Sequence, residues 1–179
     1  MINVSPGKIA GVRLIRPAAQ HDLRGTFVKT MQAETFSKHG IPMQYAEQYY
    51  SVSKNNVLRG LHFQTPPHDH YKLVTCIAGE AFDVVVDLRR SSRTYGQYES
   101  FELNGAGGDS VFVPTGCAHG FYVRSESATL LYNVSTVYAP SHDTGIRWDS
   151  IGVSWPSANP VMSERDAGLP AFAEFKTPF

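Results

Sequence analysis

The sequence predicts an all-β protein built as an antiparallel sandwich or barrel. Short runs rich in β-branched and aromatic residues recur at roughly regular spacing, and turn residues separate them. In the first half of the chain only Gln32 to Lys38 has the composition of a helix, with Gly40 placed to end it and Pro42 just beyond. The 179 residues suffice for one full core, so we expect a single domain over residues 1–179.

The predicted strands follow one another along the chain with turns between them. They cover residues 8–16, 26–30, 57–64, 71–77, 81–88, 98–103, 110–113, 120–124 and 128–138. Asp22 to Gly25 has turn composition. After Pro140 the hydrophobic density falls, so we expect the segment around Trp148 and Trp155 to lie across the outside of the barrel. Ser163 is placed to cap a final helical turn.

The composition disfavours several classes of partner. Lysine plus arginine and aspartate plus glutamate number 16 each, so no net attraction to nucleic acid or an anionic membrane is expected. Apolar runs are short, and Met1 to Pro6 lacks the pattern of a signal peptide. Cys76 and Cys117 are too few for a disulfide framework, and we expect buried, reduced thiols. We therefore predict a cytoplasmic protein that binds neither nucleic acid nor a membrane.

The run from Val57 to Gln64 contains the residue that we expect to be central to the chemistry. His62 lies within this apolar run, which predicts a short strand with the imidazole directed inward. If the following strand pairs with it, Lys72 lies close to His62. By simple alternation Arg59 lies on the opposite face, so it joins the same pocket only if Gly60 distorts the strand.

The stretch from Gly108 to His119 fits the second motif of cupin sequences, in which glycine, five residues, Pro-x-Gly and two residues precede a histidine. This motif agrees with the strand spacing. The predicted fold is therefore a cupin jelly-roll barrel with a short helix and a C-terminal segment packed outside.

Many cupins bind a metal, and His68, His70 and His119 could supply three imidazoles. No glutamate follows His70 at ligand spacing, and Lys72 would repel a divalent cation. We predict no metal, and a metal-dependent cupin oxygenase or isomerase is kept as an alternative.

Several motifs, in order from about Asp22 to Asp166, resemble those of dTDP-4-dehydrorhamnose 3,5-epimerases. They are Asp22 to Gly25, Val57 to Gln64, Lys72 to Val74, Gly79 to Arg89, Pro114 to Phe121 and Trp155-Pro156. The resemblance implies a cupin jelly roll, usually a homodimer. It also implies an enzyme that works without metal or cofactor on a nucleotide-diphospho-4-keto-6-deoxy sugar.

The same resemblance implies four catalytic residues. His62 matches the family's base, Asp166 its dyad partner, Lys72 the lysine near the keto oxygen, and Tyr132 the tyrosine on the other side of the sugar. These residue types suit the chemistry, because an imidazole oriented by a carboxylate is a fitting base near pH 7. A lysine ammonium can stabilise an enolate, and a phenol can return a proton from the opposite face.

A second group of residues is assigned to substrate binding. Its members are Arg24, Phe27, Lys29, Gln48, Arg59 and His119. We expect Asp83 to support His119. The chain departs from the family at two places in this group: Glu47-Gln48-Tyr49 stands where Gln-Asp-Asn is usual, and Lys29 stands where a glutamate is usual. The proton-transfer chemistry is therefore better supported than the identity of the nucleotide.

The expected reaction is inversion at C3, C5 or both, beside the C4 ketone of the sugar. A C3-only epimerase or a 3,4-ketoisomerase on the same fold is the nearest alternative. A catalytically silent sugar-nucleotide binding module is a third, and the presence of all four predicted catalytic residues argues against it.

Overall fold

The computed structural model describes residues 1–179 and consists mainly of strands. The strands are β1 Ile2–Pro6, β2 Arg13–Pro17, β3 Gln20–Asp22, β4 Gly25–Phe27, β5 Glu47–Lys54, β6 Leu58–Gln64, β7 Lys72–Ala78, β8 Glu80–Asp87, β9 Tyr98–Asn104, β10 Ser110–Val113, β11 Cys117–Val123, β12 Ser127–Val134 and β13 Asp143–Gly145. The helices are α1 Ala33–Lys38, α2 Glu164–Ala167 and a 3₁₀ turn at Phe172–Glu174.

Two antiparallel sheets form the barrel. One has six strands in the order β1-β2-β10-β7-β12-β5, and the other has five in the order β13-β6-β11-β8-β9. The remaining two strands, β3 and β4, pair only with each other in a short hairpin. The predicted all-β fold is confirmed. The sheet order matters for the site, because β6 and β7 lie in different sheets although they are consecutive in sequence.

Strand alternation divides the apolar residues between the inside of the barrel and its outer faces. Along β8, Val85 belongs to the inner cluster, whereas Val84 and Val86 belong to a cluster outside the five-stranded sheet. Along β7, Val74 packs inside and Leu73 packs outside, against Phe36 of α1. The five-stranded sheet and the β2, β10 and β7 part of the six-stranded sheet are therefore covered on both faces, whereas Tyr50 and Val52 on the outer face of β5 are exposed. Polar side chains inside the barrel lose their contact with water and are costly unless they are hydrogen-bonded.

The C-terminal segment covers the outer face of the five-stranded sheet, as expected from the sequence. Phe63 of β6 makes edge-on contacts with Phe175 and Phe179, with ring centroids 5.1 Å and 5.8 Å apart. The indole nitrogen of Trp155 donates to the backbone oxygen of Trp148 at 2.9 Å. This layer places α2 and its residues beside β6.

Most predicted elements are present, with shifted ends. The helix begins at Ala33, and Gly40 follows it with a positive φ of 68°. The strand predicted to reach Tyr138 ends at Val134, because the chain then leaves the sheet and Thr136 donates to the backbone oxygen of His68 at 3.0 Å. None of the helices has the length and apolar character required to cross a bilayer.

Candidate active site

A cavity of about 480 Å³ opens between the two sheets and is lined by all four predicted catalytic residues. Its wall includes His62 from β6, Lys72 from β7, His119 from β11, Tyr132 from β12 and Asp166 from α2. This volume lies within the range of pockets that hold small ligands. The sheets supply opposite walls, so a bound molecule would have titratable groups on both sides.

His62 and Asp166 form a hydrogen-bonded dyad at the edge of this cavity. Nε2 of His62 donates to Oδ1 of Asp166 at 2.7 Å, and the amide of Gly60 donates to Oδ2 at 3.2 Å. Because an ionised carboxylate can only accept, Nε2 carries a proton, and in the neutral ring the lone pair is therefore on Nδ1. The imidazole is thus held in the tautomer in which Nδ1 can act as a base.

Asp166 is suited to this supporting position. Burial alone would raise the pKa of its carboxyl, but the hydrogen bond and charge of His62 and the Gly60 amide outweigh burial and lower the pKa. The carboxylate is therefore ionised at neutral pH. Ser163 accepts a hydrogen bond from the Asp166 amide at 3.1 Å, which confirms the predicted helix cap and fixes the start of α2.

Lys72 approaches His62 from the opposite sheet. Its Nζ lies 3.5 Å from the backbone oxygen of His62, and the residue is only 5% exposed. The two residues are close, but the strand pairing on which this proximity was made conditional is not present. Strand β6 pairs with β11 and β13, whereas β7 pairs with β10 and β12. The two residues meet across the barrel interior.

The Lys72 ammonium is strongly desolvated. Burial lowers its pKa from the ordinary 10.5 to about 8, although the carboxylates of Asp143 and Asp83 partly oppose this effect. The side chain is still mostly protonated at neutral pH. A cation held in a dry cavity interacts more strongly with developing negative charge than one in water does.

Tyr132 lies on the six-stranded sheet, with its ring between two other rings. The Tyr49 ring is stacked on it with centroids 4.9 Å apart and planes 16° apart, and the His119 ring meets it edge-on at 6.3 Å. Burial raises the pKa of the Tyr132 hydroxyl above its ordinary value. The phenol therefore keeps its proton at neutral pH and is available as a donor.

Arg59 lies in the same cavity as His62 because the strand is distorted between them. The register of β6 against β11 shifts between the pairs His119–His62 and Phe121–Arg59, and Gly60 has a φ of 138°. A bulge of this kind turns a side chain toward the other face of a strand. The distortion at Gly60 that Arg59 requires in order to reach the cavity is therefore present. The Nε of Arg59 donates to Ser53 at 2.9 Å.

His119 is engaged by a buried carboxylate. Its Nε2 donates to Oδ2 of Asp83 at 2.7 Å, as expected, while Oδ1 of Asp83 has no hydrogen-bond partner.

His70 also lines the cavity, and burial together with Lys72 lowers its pKa to about 3, so its ring is neutral. No three histidine, cysteine, aspartate or glutamate side chains are grouped to hold a metal. Burial raises the pKa of the Cys117 thiol to about 12, which leaves it protonated.

Three of the predicted substrate-binding residues lie away from this cavity in the single chain. Arg24 and Phe27 belong to the β3–β4 hairpin, and Lys29 follows it; all are exposed. Arg24 and Phe27 line a separate shallow depression on the hairpin, where Arg24 pairs with Asp22. Their participation in substrate binding remains a prediction.

Gln48 also lies outside the cavity, which corrects its placement. Side chains alternate along β5, and Gln48 points to the face where it donates to Asn133 Oδ1 at 2.7 Å. Its neighbours Glu47 and Tyr49 line the cavity instead. Gln48 therefore lies one residue away from the cavity lining on either side, and its participation in substrate binding remains a prediction.

Sequence reasoning missed a charged pair at the cavity wall. Arg165 donates to Asp143 at 2.6 Å, and both line the cavity. The signal available in the sequence was the position of Arg165 directly before Asp166 in a predicted helical turn. Nothing local indicated Asp143, because it arrives through the pairing of β13 with β6.

Fold and cavity together define a cupin-type barrel that presents titratable groups from two opposite sheets to one cavity. The chain belongs to the dTDP-4-dehydrorhamnose 3,5-epimerase family, whose model matches residues 6–174. The family predicted from the sequence motifs is thereby confirmed.

Individual relatives agree with this assignment. A dTDP-4-dehydrorhamnose 3,5-epimerase of Shigella flexneri is 35% identical over 176 residues, which is 97% of each chain. The structure of NovW, a 4-keto-6-deoxy sugar epimerase from the novobiocin cluster of Streptomyces spheroides, superposes with a TM-score of 0.93 at 37% identity, covering 97% of this chain and 89% of NovW.

A second solved structure contains a ligand. The dTDP-6-deoxy-D-glucose-3,5-epimerase of Legionella pneumophila, in complex with dTDP-4-keto-L-rhamnose, has a TM-score of 0.92 and 32% identity, with 98% of this chain and 95% of that chain covered. These relatives extend over nearly the whole chain, so the similarity includes both sheets and α2.

Proposed function

We propose that the protein epimerises a nucleotide-diphospho-4-keto-6-deoxyhexose at C3, C5 or both in deoxysugar biosynthesis, without metal or cofactor and in the cytoplasm. The observation that supports this most directly is the His62–Asp166 dyad facing Lys72 and Tyr132 across one cavity. The family's relatives are named for reactions on dTDP sugars, and dTDP is the first nucleotide to test.

The first half of the proposed reaction is proton abstraction. Nδ1 of His62 takes the proton from the carbon beside the C4 ketone, and the electron pair of the broken C–H bond moves into the enolate. The ketone oxygen becomes negative, and the Lys72 ammonium stabilises it. Asp166 stabilises the imidazolium that forms, because its carboxylate accepts from the other ring nitrogen.

The second half returns a proton to the opposite face. The Tyr132 hydroxyl donates to the enolate carbon, which restores the ketone with inverted configuration and leaves a phenolate. Arg59, whose charge lies close enough to oppose the rise in the Tyr132 pKa, stabilises that phenolate. His62 and Tyr132 then regain their starting protonation states by exchange with water.

Recognition of the nucleotide is assigned to cations and aromatic side chains. Arg165 provides a guanidinium at the cavity wall for a diphosphate. Arg24 and Phe27 provide a second cation and a ring, but they lie on the exposed hairpin. We propose that the protein is a homodimer in which this hairpin reaches the cavity of the other copy.

Proton NMR of dTDP-4-keto-6-deoxyglucose in deuterated water tests the proposal. We expect loss of the C3 proton signal, the C5 proton signal or both with the native protein, and no loss with His62→Ala. The matched control is His39→Ala, which removes an exposed histidine beside α1 and should leave the exchange unchanged. Absence of exchange with dTDP-, CDP- and GDP-linked keto sugars would refute an epimerase acting on this class of substrate.

A further inference from the structure

Tyr49 forms part of the site, yet the proposed reaction gives it no function. It is the direct cross-strand partner of Tyr132 in the pairing of β5 with β12. The two rings are parallel to within 16° and 4.9 Å apart, which is a stacked geometry. Tyr132 is 8% exposed and Tyr49 is 44% exposed, so Tyr49 separates the Tyr132 ring from solvent at the sheet edge.

The remaining contacts of Tyr132 show why this stack matters. On another side the ring meets the edge of His119, at 6.3 Å, and it belongs to the apolar cluster inside the barrel. No carboxylate anchors the Tyr132 hydroxyl, which has the neutral Ser51 hydroxyl beside it, whereas His62 and His119 are each anchored by a carboxylate at 2.7 Å. The direction of the phenol O–H therefore depends on packing of the ring, and Tyr49 supplies the flat face against which it packs.

We propose that Tyr49 is a positioning residue that holds Tyr132 in line with the face of the sugar opposite His62. This inference rests on the proposed function, because it assigns the proton donor to Tyr132. Tyr49 itself transfers no proton in this scheme. Its effect is confined to the second half of the reaction, after His62 has formed the enolate.

Because the effect of Tyr49 is confined to the return of the proton, it can be measured separately from proton abstraction. If Tyr132 is poorly placed, the enolate persists, and protonated His62, which exchanges with deuterated water, returns a deuteron to the face from which the proton left. The carbon then exchanges without inverting. The ratio of inversion to exchange therefore reports the position of Tyr132, and a general loss of folded protein lowers both rates together.

The test compares three variants by proton NMR in deuterated water, following solvent exchange and product configuration in the same sample. Tyr49→Leu keeps apolar bulk but removes the flat ring, and we expect its inversion-to-exchange ratio to fall about tenfold, since misplacement of a reacting group is strongly penalised. Tyr49→Phe keeps the stacked ring and should retain the native ratio. Tyr50→Leu is the matched control, because Tyr50 is the next residue of β5, 68% exposed and on its other face.

The experiment distinguishes failure of the proposed function from failure of the inference about Tyr49. If the native protein produces no exchange, the proposed function fails, and the inference fails with it. If the native protein exchanges and inverts but Tyr49→Leu keeps the native ratio, Tyr49 has no positioning effect while the proposed function stands. A reduced ratio in Tyr49→Phe as well would also overturn the inference, because the stack would then not be the cause.

Discussion

Replacing Lys72 by methionine should make the protein inactive and more stable. The ammonium is buried, and its pKa of about 8 lies below the ordinary 10.5 because the folded state disfavours the charge. A difference of this size corresponds to about 3 kcal/mol of unfolding free energy at neutral pH. Lys72→Met removes that cost and keeps a similar length of apolar side chain.

The pH dependence of the effect follows from the sign of the pKa shift. Between about pH 8 and pH 10.5 the unfolded chain binds more protons at Lys72 than the folded chain does, so native stability rises with pH there. The variant lacks this group. Its advantage should therefore be greatest at pH 7, about 3 kcal/mol, and fall below about 1 kcal/mol near pH 10.

Urea unfolding at fixed protein concentration measures both values, and proton NMR on the same samples measures exchange. Lys54→Met is the matched control, because Lys54 is exposed at the end of β5 and should show no pH-dependent difference. A Lys72→Met advantage that stays constant with pH would refute the reasoning that the buried charge is its source. Retained exchange in this variant would refute the function given to Lys72.

Three further predictions follow from the geometry. Asp166→Asn should lower the exchange rate at least about 100-fold while the protein remains folded, because the amide cannot orient and stabilise the imidazolium as the carboxylate does. An unchanged exchange rate in NMR would contradict the function given to Asp166. Gly60→Ala should impair folding and activity together, because Gly60 has a φ of 138° and an added Cβ would lie 2.5 Å from the Cα of Gly120. Circular dichroism with thermal unfolding measures this, and native stability of the variant would contradict it. If the hairpin reaches the cavity of the other copy, the Arg24→Ala and His62→Ala proteins should each be inactive alone. After their subunits exchange, the mixture should recover about a quarter of native activity, because each hybrid dimer contains one intact site. No recovery after subunit exchange would show that Arg24 does not act in the other copy's cavity.

The local sequence determined much of the architecture. Apolar runs with period two and their turn residues predicted most strands, and the glycine and proline spacing before His119 indicated the cupin fold. The Ser163 cap was predictable because it depends on residues within one helical turn. The residues predicted to be catalytic were recognisable through motifs, and the structure brings those four residues to one cavity.

Other features depended on how distant segments meet. The sequence predicts the approach of Lys72 to His62 only if their two strands pair, and in the structure these strands instead face each other across the barrel. Strand period identifies which side chains share a face, but it does not identify the neighbouring strand, which is set by non-local packing.

The tertiary structure alone decided the details that tune the site. The bulge at Gly60 brings Arg59 into the cavity, and the register of β5 against β12 places Tyr49, not Gln48, on the Tyr132 ring. A shift of one residue in either register would reverse these assignments, because successive side chains on a strand point to opposite faces. The sequence thus determined which titratable groups the chain contains, and the sheet pairing determined which of them meet in the cavity.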